Sequence, residues 1–239
     1  MSQSIVSQSN WTIMGKGGVG KSFITWLLAQ YFKSKGRNTY FADTDPNNAT
    51  FSSFPEIGAQ HVNIQDDDLA LNQGPFDEMV NQIASHEFSI IDNGASSFAP
   101  LMHYLTQNNT LSNLQSIGQQ VIIHMPLVGG PAMRDTLWGI DMVLRNTPAE
   151  VVIWQNDHFG KDAVEFKETN LYKEFASRVL GVVHLPKRDE NTHVKTIQKL
   201  YSNGQIFDVA ASAAYPFVEK HRINDFRNDV FGKLEALGI

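Results

Sequence analysis

Short apolar runs alternate with longer segments of helical periodicity along almost the whole chain. The short runs end at turn-forming or polar residues, which is typical of strands buried on both faces of a parallel sheet. The segments between them carry apolar positions at helical spacing and predict helices. The predicted strands cover residues 11–14, 38–42, 88–92, 120–126, 150–156 and 181–186. The predicted helices cover residues 23–35, 76–85, 100–108, a segment that begins at 131, and residues 161–178, 193–203 and 214–237.

This alternation predicts an α/β fold, a doubly wound and mostly parallel sheet flanked by helices. A chain of 239 residues is long enough for one large domain, and we expect a single domain over residues 11–239 after a flexible N-terminus at residues 1–10. Residues 52–76 show no clear pattern, and the run of three aspartates at 66–68 is interpreted as a surface loop or helix start rather than a metal site. The last helix has an apolar stripe that starts at Phe217 and a polar face of both signs. That pattern favours packing onto the sheet over lying on a membrane.

Composition excludes several classes of protein. The chain has no cysteine, which excludes disulfides, thiolate zinc sites and cysteine-ligated iron–sulfur clusters. Its net charge of −6 argues against a broadly basic nucleic-acid-binding surface, although residues 181–239 carry 8 Lys and Arg against 7 Asp and Glu and leave room for a local patch. The start of the chain lacks the pattern of a signal peptide, and no run approaches the roughly 18 apolar residues of a membrane span. We therefore expect a cytoplasmic protein.

A glycine-rich loop follows the first predicted strand and leads directly into the first predicted helix. Residues 15–22 have the phosphate-loop pattern of Gly, four residues, then Gly-Lys-Ser. Glycines allow several backbone N–H groups to point into one small concavity, and the helix N-terminus adds a partial positive charge. Lys21 is predicted to reach the β- and γ-phosphates, and the Ser22 hydroxyl to bind Mg²⁺. The predicted nucleotide-binding residues of this segment are Gly15, Lys16, Gly17, Gly18, Val19, Gly20, Lys21, Ser22 and Phe23.

Carboxylates close the next two strands along the chain. Asp43 and Asp45 follow the second strand, where open α/β sheets bind their ligands. One of the two could hold a metal-bound water while the other orients an attacking water. The alternative is a solvated turn closed by Pro46. Asp92 ends the strand at 88–92 in the position of a Walker B carboxylate, where it would bind the water shell of Mg²⁺.

Lys16 places a second lysine inside the loop, which then reads Lys-Gly-Gly-Val-Gly-Lys-Ser. This sequence resembles the deviant Walker A motif of the ParA/MinD family of ATPases. The resemblance implies that Lys16 contacts the phosphates across a nucleotide-sandwich dimer and, with Lys21 and Asp45, forms the catalytic set. It also implies that Asp43 belongs to the magnesium shell. The alternative for Lys16 is that it only adds charge to an ordinary phosphate loop.

The resemblance also implies a site for the base. In the family, an asparagine at the end of the corresponding strand reads the adenine edge, which here is Asn156. An amide suits this role because it has both a donor and an acceptor, but an asparagine that simply ends a strand is equally common. Pro186 and Lys187 stand where the family packs the base.

A narrower resemblance, to the TraL/StbB branch of ParA-like ATPases encoded by conjugative plasmids, rests on four further segments. These segments are residues 43–51, 91–98 and 100–105, and Trp154 with Asn156. The resemblance implies a slow ATP hydrolase that uses ATP and Mg²⁺ and dimerises with ATP. It implies a role in plasmid transfer, stability or positioning beside a plasmid-encoded DNA-binding or transfer protein, and leaves direct, non-specific DNA contact open. Two alternatives remain: a small-molecule kinase or ligase with the same loop, and a weakly hydrolysing adaptor for a membrane or secretion partner.

Overall fold

The chain forms one parallel sheet with helices packed on both of its faces. The computed structural model describes residues 7–65, 71–160, 163–208 and 215–239. Seven strands within these ranges pair in the order β3-β2-β4-β1-β5-β6-β7, and every pairing between strands is parallel. The strands are β1 (Gln8–Thr12), β2 (Thr39–Asp43), β3 (Gln60–His61), β4 (Phe88–Asp92), β5 (Gln120–Val128), β6 (Glu150–Asn156) and β7 (Val179–Leu185). The predicted doubly wound α/β fold is confirmed.

Helices connect the strands and cover the sheet. They are α1 (Lys21–Ser34), α2 (Gln73–Ser85), α3 (Phe98–Gln107), α4 (Thr110–Ser116), α5 (Met133–Asn146), α6 (Asn170–Phe175), α7 (Lys195–Ser202) and α8 (Phe217–Ala236). Neighbouring strand residues point to opposite faces, so Ile122 and Ile123 of β5 belong to different core clusters. One cluster joins the sheet to α1, α7 and α8, and the other joins it to α2, α3, α4 and α5. Both faces of the sheet are therefore buried from solvent, which explains why the strands appear in the sequence as continuous apolar runs.

The first strand begins earlier than its apolar residues indicate. β1 starts at Gln8, so residues 8–10 belong to the sheet and the predicted flexible segment 1–10 is wrong at its C-terminal end; residues 1–6 lie outside the described ranges. Ser9 and Asn10 are fully buried. Ser9 Oγ accepts a hydrogen bond from Trp11 Nε1 at 2.7 Å, and Asn10 Oδ1 lies 3.0 Å from His124 Nε2. Partners inside the sheet thus allow polar residues to occupy a buried strand.

The segment predicted as one helix at 161–178 is broken into short turns. Only Asn170–Phe175 is α-helical, between single 3₁₀ turns at Phe166–Glu168 and Ala176–Arg178, and residues 161–162 lie outside the described ranges. Thr169 interrupts the pattern because its Oγ1 accepts the Tyr172 N–H at 3.0 Å, which is a helix N-cap. Two elements of the described chain, β3 and α4, had no predicted counterpart, and the aspartates at 66–68 lie outside the described ranges.

The last helix packs on the sheet as predicted. Ile223, Phe226, Val230 and Leu234 of α8 are buried, whereas Phe217 is exposed at the helix start and does not belong to the stripe. Across the described ranges, no helix is both long and apolar enough to cross a membrane.

Candidate functional site

The glycine-rich loop lies at the carboxyl edge of the sheet, between β1 and α1. Gly18 and Gly20 have φ values of 73° and 97°, in the left-handed region that favours glycine. Residues 15–18 are exposed, whereas the Lys21 side chain folds back and its Nζ donates a hydrogen bond to the Lys16 carbonyl at 3.2 Å. Burial lowers the pKa of Lys21, and the charges of Asp92 and Asp45 oppose this effect. The loop therefore holds a buried ammonium under an open, glycine-lined tip.

Asp92 combines complete burial with an unused hydrogen-bond acceptor. Its Oδ1 accepts a hydrogen bond from the Thr25 hydroxyl at 2.8 Å, and its Oδ2 has no hydrogen-bond partner in the described part of the chain. Burial raises the pKa of Asp92 to about 7, against the opposing effect of the nearby Ser22 hydroxyl. A buried carboxylate oxygen without a donor is costly, so the site favours a ligand that meets this oxygen.

The donor set around Asp92 fits Mg²⁺. The ion prefers hard oxygen ligands, and the Ser22 hydroxyl and the free Asp92 oxygen are of this type. Asp43 is paired in register with Asp92 on the adjacent strand. However, its Oδ1 accepts the Asp45 N–H at 3.1 Å and its Oδ2 accepts the Ser52 N–H at 2.8 Å. Asp43 thus adds negative charge beside the site while both of its oxygens order the loop after β2, and burial raises its pKa.

Asp45 lies in the turn that was the alternative to its catalytic interpretation. Its Oδ1 accepts the backbone N–H groups of Asn47 and Asn48, each at 3.0 Å. The same residue packs against Gly94 of the loop after β4, where a Cβ would come within 3.0 Å of the Asp45 Cα and Cγ. The glycine lets the two loops touch, and Asp45 is close enough to raise the pKa of Lys21. The carboxylate is therefore both a turn former and a neighbour of the phosphate loop.

A cavity of about 300 Å³ opens beside the loop. Of the residues predicted to bind the nucleotide, Gly20, Phe23, Asn156 and Pro186 line it. Lys187 does not line it, and its ammonium is paired with the glutamate three residues later at 2.7 Å. The Asn156 Nδ2 lies toward Gly20, 3.5 Å from where a Cβ would stand on that glycine. The cavity thus joins the loop to the ends of β6 and β7.

The remaining lining is mostly aromatic and aliphatic, with Arg188, Gln198 and two histidines among it, and was not predicted. These residues follow β6 and β7 or lie on α7 and α8, so only the fold brings them to the loop. Flat, apolar walls with few polar groups suit a planar heteroaromatic ligand. The residues of this remaining lining are His158, Phe159, Leu185, Arg188, His193, Val194, Ile197, Gln198, Tyr201 and Phe226.

The Lys16 side chain does not line this cavity. Its Nζ is 2.9 Å from Asp135 Oδ2 in the first turn of α5, and both side chains are about half exposed. Sequence spacing gave no signal for this pair, which joins residues more than a hundred positions apart. No group of three or more His, Cys, Asp and Glu residues that could hold a metal occurs within the described ranges.

The parallel sheet, the glycine loop at its carboxyl edge and the buried Lys21 and Asp92 define a P-loop nucleotide-binding protein. The chain belongs to the CobQ/CobB/MinD/ParA nucleotide-binding family, whose domain matches residues 12–209. The resemblance to the ParA/MinD family is thereby confirmed.

Relatives match along nearly the full chain. Two proteins from Escherichia coli, each named Protein TraL, are 35% and 33% identical over 241 residues, which cover 98% of this chain and 100% of each relative. Among solved structures, the MinC:MinD cell division protein complex of Aquifex aeolicus has a TM-score of 0.53, with 10% identity and 96% of each chain covered. At that identity the structural match supports the fold alone.

Proposed function

We propose that this protein is a slow, Mg²⁺-dependent ATPase that associates as a homodimer when ATP is bound. The observation that carries the proposal is the convergence of Lys21, Ser22 and the free oxygen of Asp92 beside an aromatic cavity that ends at Asn156. Lys21 would meet the β- and γ-phosphates, and the cavity would hold adenine. When bound at Ser22 and Asp92, magnesium would neutralise charge on the phosphates.

In the proposed hydrolysis, a water oxygen bonds to the γ-phosphorus while the bond to the bridging oxygen breaks, which releases ADP and phosphate. Asp45 would accept a hydrogen bond from that water. Because Asp45 Oδ1 already accepts two backbone N–H groups, the role requires its other oxygen or an opening of the turn. This second demand on one carboxylate is consistent with slow turnover.

We further propose a role in conjugative plasmid transfer, plasmid stability or plasmid positioning. Family membership and the two TraL relatives support a plasmid-related role. In this role, ATP binding and hydrolysis would switch the protein between forms that do and do not engage a plasmid-encoded DNA-binding or transfer protein. Direct, non-specific contact with DNA is a further possibility for the dimer, and filter binding to plasmid DNA with ATP or ADP would test it.

Nucleotide binding by Lys21→Ala tests the site. Removing a buried ammonium that meets phosphate costs about 3 kcal/mol or more, so the affinity for ATP should fall by about 100-fold or more. Lys33→Ala, an exposed lysine in the last turn of the same helix, is the charge-matched control and should bind as wild type does. Titration calorimetry with ATP and Mg²⁺ makes the measurement. Near-wild-type affinity in Lys21→Ala would contradict the assignment of the loop.

A further inference from the structure

A second cavity, of about 390 Å³, lies at the amino edge of the sheet, opposite the phosphate loop. It is formed where α1 ends and where β2, β3 and β4 begin, and no residue lines both this cavity and the one beside the loop. Because α1 has 14 residues that each advance about 1.5 Å, roughly 20 Å separate the two. We call it the amino-edge cavity. Its polar lining includes Lys33, Arg37, Asn38, Gln60 and His86.

The charge of the amino-edge cavity is opposite to that of the whole chain. The chain has a net charge of −6, yet the cavity is lined by a lysine, an arginine and no carboxylate. Within the described ranges, Lys33 and Arg37 form no ion pair, and the buried Nη1 of Arg37 has no hydrogen-bond partner. Lys35, between them in sequence, pairs with Glu235 instead. Neighbouring cations without a counter-charge repel each other, and an anion bound between them would remove that repulsion.

The turn that ends α1 brings both cations to the cavity. Gly36 has a φ of 66°, and its N–H donates to the Lys33 carbonyl at 2.9 Å, while the Arg37 N–H donates to the Phe32 carbonyl at 3.3 Å. These two bonds are a Schellman motif, which needs glycine at the left-handed position. The Arg37 guanidinium then lies 4.8 Å from the ring centre of Phe32 and 4.7 Å from that of Phe88. A cation held by two rings loses little conformational entropy when it binds a ligand.

We propose that the amino-edge cavity binds the phosphate group of a small molecule, either inorganic phosphate or a phosphate monoester. Such a group carries nearly two negative charges at neutral pH and offers several acceptor oxygens. Two charges match Lys33 and Arg37, and the planar guanidinium can donate two parallel N–H bonds to phosphate. The side chains of Asn38 and Gln60, which make no hydrogen bond within the described ranges, supply further donors.

Other anions fit the cavity less well. A single carboxylate has one charge and two oxygens, so it would leave one of the two cations without a partner. A DNA backbone has one charge per phosphate and is bound by a row of cations, but the neighbouring Lys35 is already neutralised by Glu235. The rings of Tyr40 and His86, 5.3 Å apart, form one wall and leave space beside the cations for the organic part of a monoester.

The imidazole of His86 can report binding inside the cavity. The phosphate loop also presents N–H groups to phosphate, so the measurement has to be local to this edge of the sheet. Titration of wild type with inorganic phosphate, and separately with glycerol phosphate, should shift the His86 NMR signals to saturation at constant pH and constant ionic strength. Lys33→Gln and Arg37→Gln should each weaken the affinity by about tenfold or more, because each removes a charge-assisted hydrogen bond.

Lys35→Gln is the matched control. Cations near a helix C-terminus also stabilise the helix dipole, and Lys33 and Lys35 share this role, but only Lys33 lines the cavity. Lys35→Gln should therefore bind phosphate as wild type does. Because Lys33 is exposed, Lys33→Gln keeps the comparison valid even if Arg37→Gln folds poorly.

Three results would overturn the inference. In the first, neither phosphate nor glycerol phosphate shifts the His86 signals. In the second, Lys33→Gln binds phosphate as tightly as Lys35→Gln, so that the lysine serves only the helix. In the third, duplex DNA shifts the His86 signals and the two small ligands do not, so that the ligand is a nucleic-acid backbone. The proposed ATPase function rests on the opposite edge of the sheet and is unaffected by any of these results.

Discussion

At the end of β4, the buried Asp92 leaves one carboxylate oxygen without a hydrogen bond in the described chain. An unsatisfied buried acceptor costs about 1–3 kcal/mol, and natural proteins retain such costs mainly at functional sites. Thr25 holds the other oxygen in place from one helical turn beyond Lys21. The Thr25 bond occupies one oxygen and leaves the other available to a ligand.

Asp45 is predicted to act in turnover and not in nucleotide binding. Asp45→Ala removes a water-orienting carboxylate but leaves the glycine loop and Lys21, so kcat should fall by about 10²- to 10⁴-fold while the affinity for ATP changes little. Phosphate release and titration calorimetry measure the two quantities. An unchanged rate would move the catalytic role to another group.

Asp45→Asn separates the carboxylate from the turn. An asparagine Oδ1 can still accept the N–H groups of Asn47 and Asn48, so the loop should keep its conformation. The variant should nevertheless be as slow as Asp45→Ala, because the negative charge is gone. Full activity in Asp45→Asn would show that Asp45 only shapes the loop.

At this scale the sequence predicted residues in the loop motif and at the ends of strands, and missed those that only the fold brings to the loop. Residues 15–22 could be assigned because the loop needs glycine, lysine and serine at fixed spacing. Thr25 had no such requirement, and an inward-facing threonine in a helix resembles any other. Asp135 reaches Lys16 from a distant helix, so local sequence contained no signal for it.

At the scale of elements, a buried polar network links three adjacent strands. His124 of β5 lies 3.0 Å from Asn10 Oδ1 of β1, and its Nδ1 accepts the Trp154 Nε1–H of β6 at 3.0 Å. This pattern requires the neutral imidazole with its proton on Nε2. The network explains why β1 accepts Asn10 and why its start was predicted too late.

His124 is predicted to stay neutral across the physiological range. Burial lowers its pKa to about 3, well below the ordinary value near 6.5. Its imidazole NMR shifts should therefore stay constant from pH 8 to pH 5. A midpoint above pH 5 for His124 would contradict the network.

The lowered pKa of His124 also makes the stability of the folded protein depend on pH. The folded pKa lies below the unfolded one, so protonation favours the unfolded chain, and the contribution of His124 is lost as pH falls from about 6.5 toward 3. The loss approaches about 1.4 kcal/mol per pH unit for this single group. Asp92 acts in the opposite direction, since its raised pKa lets the folded state bind the proton first. Urea unfolding of wild type beside His124→Gln between pH 7 and 5 isolates the histidine contribution.

Elements with a simple pattern were predicted well. The strands at 88–92 and 150–156 match the structure at both ends, because each has an apolar centre and ends at a polar residue of the site. The predicted helix at 161–178 failed because its apolar residues, such as Phe166, anchor separate short turns to the core. Hydrophobic spacing does not distinguish a continuous helix from turns that bury residues at similar intervals.

At the scale of the whole molecule, the parallel sheet gathers residues from distant parts of the chain at one edge. The glycine loop follows β1, the two carboxylate segments follow β2 and β4, and the cavity is closed after β6 and β7. Lys16 is the exception, since within one chain its ammonium lies on Asp135 at the rim. The Lys16 carbonyl accepts a hydrogen bond from the buried Lys21, but the Lys16 ammonium is directed to Asp135 and away from the buried part of the site.

Lys16 thus decides between a dimerising switch and a stand-alone enzyme. In a sandwich dimer its ammonium would leave Asp135 for the partner's triphosphate, and ADP would offer less negative charge to attract it. Lys16→Ala should keep most of its monomeric affinity for ATP but lose ATP-dependent association and most turnover. The coupling is reciprocal, so dimerisation should also tighten ATP binding in wild type and not in the variant.

Light scattering with ATP, with ADP and without nucleotide measures this, with Lys35→Ala as a control that removes an exposed lysine at the end of α1. The control should dimerise with ATP as wild type does, because Lys35 pairs with Glu235 far from the loop. If wild type hydrolyses ATP yet has the same mass in all three conditions, the hypothesis of an ATP-dependent dimerisation switch is wrong. Lys16 would then merely add charge to an ordinary phosphate loop, and a stand-alone enzyme would be the better explanation of the site.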